Sequence, residues 1–131
     1  LLSKENKIFK IETLRACKNF NEIIKHADNF LIDRGDLSKE IGIEQIPVAQ
    51  RKILKISKKY SNKNIYIATN FLESMIENPF PTRAEVNDIF NALEMGSKGL
   101  VLAAETAIGK HPIECVKLLK KIISTYKSYK L

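Results

Sequence analysis

Four times along this chain a short apolar run is followed by a longer stretch whose apolar residues recur at helical spacing. Lys7-Ile8-Phe9-Lys10-Ile11-Glu12 reads as a strand, and Leu14, Cys17, Phe20, Ile23, Ile24 and Ala27 then mark a helix. Phe30-Leu31-Ile32 is a second strand ending in the loop Asp33-Arg34-Gly35-Asp36, followed by a helix on Ile46, Ala49, Ile53 and Ile56 that ends near Tyr60. Ile65 to Thr69 is a third strand. A long loop with Pro79 and Pro81 leads to Thr82-x-x-Glu85, which has the form of a capping box, and Gly96 is placed to close the helix that follows. Gly99 to Ala103 is a fourth strand, and Pro112 suits the first turn of a last helix with Ile113, Val116, Leu119, Ile122 and Tyr126 on one face. Such alternation predicts an α/β fold with a parallel sheet and helical crossovers. Four βα units make either a small open sheet or half of an eight-unit barrel, and composition does not separate the two. In both, the loops after the strands carry the chemistry.

The chain has 131 residues, the size of one domain, and no Gly-, Pro- or Ser-rich linker divides it. Residues 1–131 are therefore read as a single domain, and the start at Leu1-Leu2, without Met, is read as part of a longer product. The formal charge of +7 admits an anionic partner. Lysines such as Lys117, Lys120, Lys121 and Lys127 are instead expected on solvated helix faces, and no aromatic residues interleave with a basic stripe, so no nucleic-acid partner is expected. No apolar run has the length of a membrane span. Cys17 and Cys115 sit at helical spacing among apolar residues and are expected as reduced core residues of a cytoplasmic protein.

Lys10 and Glu12 are two residues apart on a predicted strand, so a cation and a carboxylate project to the same side near its end. Spacing alone favours a simple ion pair. Asp36 follows the second strand, and Glu12 with Asp36 would offer two hard oxygen ligands of the kind magnesium takes. Lys10 beside them could neutralise a phosphoryl group. Gly35 allows backbone N–H groups to approach a ligand closely. Thr69 and Glu105 close the third and fourth strands, where a strand-end hydrogen bond and a helix or loop cap are the plain alternatives.

Phe9-Lys10-Ile11-Glu12 resembles the S-K-I-E segment of pyruvate kinases, and Arg34-Gly35-Asp36-Leu37 resembles their R-G-D-L. Ile43 to Gln50 resembles L-E-E-V-P-x-x-Q, and Ala68 to Met75 resembles A-T-Q-M-L-E-S-M. Asn78 to Glu85 resembles N-P-x-P-T-R-A-E, with Asp88 shortly after, and Leu102 to Ala107 resembles L-S-G-E-T-A. The segments occur in order over roughly Lys7 to Ile122. The resemblance implies a (βα)4 half of a TIM (β/α)8 barrel, strands five to eight. It implies that Lys10 and Thr69 are catalytic. Arg34, Gly35, Asp36 and Thr69 would bind substrate, and Glu12 and Asp36 would bind Mg²⁺ or Mn²⁺. The partners implied are a phosphoenolpyruvate- or pyruvate-type molecule and either the missing N-terminal half or a second copy in a homodimer. The family's K⁺ site is expected to be missing.

Three positions depart from the pattern. Asp33 stands where the family has a small residue, Ala103 where it has Ser, and Ser38 where it has Gly. A complete barrel would transfer phosphoryl between phosphoenolpyruvate and ADP. The isolated chain is expected to be inactive, and Asp33 and Ala103 favour the alternative of a non-catalytic module for assembly or metabolite sensing. Half a barrel is expected to leave two sheet edges open, with the inner faces of its strands, such as Ile65, Ile67 and Leu100, only partly covered. Leu1 to Asn6 and Ser124 to Leu131 are further candidates to cap those edges.

Overall fold

The computed structural model describes residues 6–130. Strands β1 (Phe9–Ile11), β2 (Asn29–Asp33), β3 (Asn64–Ala68) and β4 (Gly99–Val101) form one sheet in the order β1-β2-β3-β4. Every pairing is parallel. Parallel neighbours need a long crossover, and here each crossover is helical. Helices α1 (Leu14–Lys18) and α2 (Phe20–Ile23) join β1 to β2, and α3 (Arg34–Ile41) and α4 (Ile46–Ser57) join β2 to β3. Helix α5 (Arg83–Glu94) joins β3 to β4, and α6 (Ala104–Ala107) and α7 (Pro112–Lys130) follow β4.

The helix read across Leu14 to Ala27 is in fact two short helices and a 3-10 turn, broken where Asn19 leaves helical geometry. The segment Asp33-Arg34-Gly35-Asp36 is not a loop. Asp33 is the N-cap of α3, its side chain accepting the Asp36 N–H, so the helix begins at once after the strand. On α7 the buried stripe is Cys115, Leu119 and Ile122, whereas Ile113 and Val116 face outward. Both cysteines are free and buried. Lys117, Lys120, Lys121 and Lys127 are exposed, as expected. None of the described helices is long and apolar enough to cross a membrane.

Strand residues alternate between the two faces of the sheet. Phe30, Ile32, Ile65 and Ile67 face the helices and are buried in the core with Phe20, Leu37, Ile53, Leu54 and Ile89. Phe20 packs edge-on to Phe30 at 5.3 Å between ring centroids, each such ring contributing about 1.5–3 kcal/mol of burial. Ile65 and Ile67 were expected on a partly covered inner face. They lie instead under the helices, as does Leu100, which shares their register and packs against the core. The opposite face carries the row Lys10, Leu31, Tyr66 and Gly99, and beside it Asp33, Ala68 and Val101. No described helix packs across that face. Gly99 is needed there: a Cβ on it would lie 2.7 Å from the Tyr66 ring, which rests over the glycine.

The expected capping box is present. The Thr82 hydroxyl accepts the Glu85 N–H, and Glu85 accepts the Thr82 N–H at 2.9 Å. The same carboxylate also takes the Ser74 N–H, at 2.8 Å, and the Ser74 hydroxyl, which ties the loop after β3 to the start of α5. Burial pushes the Glu85 pKa up, but the hydrogen bonds from Ser74 and Thr82 outweigh it and hold the carboxyl below its ordinary value of 4.5. A lowered folded-state pKa stabilises the fold fully above that ordinary value, and the contribution is lost as pH falls through the lowered one. Glu85→Gln is therefore expected to flatten the acid limb of stability. Urea midpoints measured between about pH 6 and pH 3 check this, and parallel curves for parent and variant would contradict it.

Candidate functional site

Lys10 is the centre of a charged cluster at the C-terminal end of the sheet. Its Nζ lies 3.0 Å from Glu12 Oε2, 2.9 Å from Asp33 Oδ2 and 3.9 Å from Asp36 Oδ2. Lys10 projects from the bare face of β1, Asp33 ends β2 on the same face, and Asp36 stands in the first turn of α3. The three carboxylates each offer an oxygen within 4.8 Å of the others. Hydrogen bonds to Asp33 and Glu12 raise the Lys10 pKa well above its ordinary value, so it stays a cation throughout the physiological range. Burial pushes Asp33 up, but Lys10 and the Asp36 N–H outweigh it and hold the carboxyl below the usual range.

Thr69 follows β3 and leaves the sheet abruptly. It and Asn70 adopt φ angles of 77° and 62°, the left-handed region that side-chain-bearing residues seldom enter. The Gly35 N–H donates to Thr69 Oγ1 at 2.8 Å. A hydroxyl that accepts in this way keeps its own hydrogen to donate. Arg34 is buried and donates hydrogen bonds to the Thr69 carbonyl, to Asp88 and to Gln50. Glu105 is 1% exposed, and its two oxygens accept the Leu72 N–H at 3.0 Å and the Ala103 N–H at 2.8 Å. It joins the loops that follow β3 and β4. Glu105 thus follows the cap reading.

The profile described as "Pyruvate kinase, barrel domain" matches residues 3–116. This chain belongs to the pyruvate kinase family. It is 56% identical over 115 residues to the pyruvate kinase of Thermotoga maritima, covering 88% of this chain and 24% of that protein. It is 50% identical over 115 residues to that of Methanocaldococcus jannaschii, covering 88% of this chain and 26% of that protein. The crystal structure of pyruvate kinase from Pyrobaculum aerophilum matches at a TM-score of 0.86 and 42% identity, covering 90% of this chain and 28% of that chain. The chain spans about a quarter of the length of the curated relatives it matches.

Each departure from the pyruvate kinase pattern has a place in the structure. Asp33 turns its carboxylate onto Lys10 and the Asp36 N–H, so its charge is compensated within the protein. Ser38 donates its hydroxyl to the Gly35 carbonyl at 2.8 Å. Ala103 lines the same hollow as Thr69, Glu73 and Glu105, a space of about 160 Å³. Sequence reasoning placed Lys10, Glu12, Asp36 and Thr69 at one mouth, and the structure brings Lys10, Glu12 and Asp36 into one cluster, with Thr69 joined to it through Gly35. It missed Asp33 as the partner of Lys10, although a carboxylate at the end of the neighbouring strand was a readable signal. It gave Asp88 no role.

Proposed function

We propose that this chain is the part of a pyruvate kinase barrel holding strands five to eight, and that it carries the divalent-ion and phosphoenolpyruvate half of the phosphoryl-transfer site. The observation that carries the proposal is the Lys10 ammonium among three carboxylates, on the uncovered face of a parallel sheet at its C-terminal end. Barrel active sites are built at that end.

The donor set fits magnesium. Glu12 and Asp36 are hard oxygen ligands; Glu12 Oε2 is buried against Lys10, and the Asp36 side chain, 49% exposed, leaves the open side on which water and substrate oxygens would complete the shell. When bound there, Mg²⁺ or Mn²⁺ supplies Lewis-acid charge stabilisation to phosphoryl and enolate oxygens. Lys10 brings a permanent positive charge to the transferring phosphoryl group, held in place by Asp33. Thr69, whose hydroxyl accepts the Gly35 N–H and keeps its own hydrogen to donate, would face the enolpyruvate. The first turn of α3 is the place for the substrate carboxylate, whose arrival would draw the Gly35 and Asp36 N–H groups from Thr69 Oγ1 and Asp33 Oδ1, their acceptors in this structure. Phosphoryl transfer to ADP belongs to the complete barrel, in a cytoplasmic protein, because transfer requires both substrates held together.

Titration of the chain with manganese, followed by water-proton relaxation, tests the site. Weak binding is expected, strengthened by oxalate, a stand-in for enolpyruvate. Oxalate without effect on manganese binding would overturn the reading.

The outer edges of β1 and β4 and the apolar residues Leu31, Tyr66 and Val101 of the bare face need a cover. In the complete barrel that cover is the N-terminal half. In the isolated chain a second copy is the simplest substitute. Of the chain ends considered as caps, Leu1 to Asn6 and Ser124 to Leu131, residues 1–5 and 131 lie outside the described residues, and residues 124–130 are the end of α7, where Tyr126 and Tyr129 pack on Phe90 of α5. Sedimentation equilibrium over a wide concentration range is expected to show a monomer–dimer equilibrium, and a strict monomer would remove the homodimer.

A further inference from the structure

The Thr69 carbonyl is held by a buried guanidinium. The last paired row of β2 and β3 is Asp33 with Ala68, so Thr69 lies beyond the ladder and its carbonyl has no strand partner there. Arg34 supplies one: Nε donates to it at 3.1 Å and Nη2 at 2.6 Å. The other side of the guanidinium is taken by Asp88, whose two carboxylate oxygens accept from Nη1 at 2.9 and 3.0 Å. The guanidinium carbon stacks 4.1 Å over the Phe71 ring, and Gln50 Oε1 lies 3.4 Å from Nη1. Asp88 comes from α5, 54 residues further along the chain than Arg34.

We infer that Asp88 is a positioning residue for Thr69, acting through Arg34 to hold the left-handed turn that aims the Thr69 hydroxyl at Gly35. The physical reason lies in two unfavourable states that support each other. A left-handed Thr-Asn pair persists only where its surroundings over-determine it. A buried guanidinium stays only where a charge balances it. Asp88 balances the guanidinium, and the guanidinium in turn fixes the Thr69 carbonyl. With the countercharge gone, Arg34 shifts toward water or another acceptor. Thr69 then relaxes toward strand geometry, and Oγ1 leaves the Gly35 N–H. The importance of this for catalysis rests on the proposed function, but the control of the turn does not.

The test compares the parent chain with Asp88→Asn and with Asp88→Asn/Gln50→Glu, which returns a carboxylate to the guanidinium from α4. Amide hydrogen exchange by NMR reads the Gly35–Thr69 bond, and three-bond couplings read the φ of Thr69. In Asp88→Asn the Gly35 amide is expected to exchange about tenfold faster, Thr69 to lose its positive φ, and the β2–β3 ladder amides to stay protected. Manganese affinity without oxalate is expected to be unchanged, because Glu12 and Asp36 are not touched, while the strengthening by oxalate falls. The double variant is expected to restore both Gly35 protection and the oxalate effect. Unchanged Gly35 exchange and Thr69 couplings in Asp88→Asn would overturn the inference. So would a loss of protection spread evenly over β3, or a double variant no better than the single one. A parent chain that shows no oxalate effect refutes the proposed function instead, and the NMR readouts then still judge the inference.

Discussion

Glu12→Gln combined with Asp36→Asn lowers manganese affinity by more than about tenfold, with the fold intact. Both side chains are part exposed, and neither is in the hydrophobic core, so their neutral isosteres disturb little packing. What they remove is two of the three anionic oxygens that lie within 4.8 Å of one another. Lys10→Met has the opposite sign. Its ammonium occupies the centre of the cluster, 2.9 Å from Asp33 and 3.0 Å from Glu12, and repels a second cation at close range. Without it, manganese alone binds more tightly, but oxalate no longer adds to the affinity. Relaxation titrations of the two variants check both signs. Equal manganese affinity in the parent and the double variant would contradict the assignment of Glu12 and Asp36.

Glu105→Ala is expected to destabilise the fold by about 2–4 kcal/mol, because it strips two backbone N–H groups of their only described acceptor. The Leu72 N–H lies beside the buried Leu72 and Phe71 side chains, where water enters poorly. The carboxylate bonds to Leu72 across 33 residues, so its loss also unties the loop after β4 from the loop after β3. Glu105→Gln keeps one acceptor oxygen and is expected to cost less than Glu105→Ala. Urea unfolding at neutral pH measures both. An alanine variant within about 0.5 kcal/mol of the parent would show that the two amides find other partners.

Much of the fold was legible because its signals are local. The four strand–helix alternations, the Thr82–Glu85 capping box, Gly96 with its φ of 97° and Pro112 at the start of α7 all depend on residues a few positions apart. The onset of α3 was misread as a loop, since a helix that begins inside Asp33-Arg34-Gly35-Asp36 has its cap at the last residue of a strand. The face of α7 was misjudged at Ile113 and Val116, because periodicity alone does not say which of two overlapping apolar stripes meets the core.

The amino-acid sequence by itself determined that the chain alternates strand and helix, that its charged and hydroxyl residues fall at strand ends, and that it resembles pyruvate kinases. Tertiary structure alone decided which face of the sheet each strand residue takes. It put Ile65 and Ile67 beneath the helices and left Tyr66 on the bare side over Gly99. It also decided what the strand-end residues do: Asp33 both caps α3 and holds Lys10, and Arg34 turns inward to Thr69 and Asp88. The reason is range. A helix or turn is specified by interactions over about four residues, which a sequence displays directly. The partner of a buried charge is whichever opposite charge the packed chain brings beside it, here 54 residues away, and no spacing rule along the chain records that.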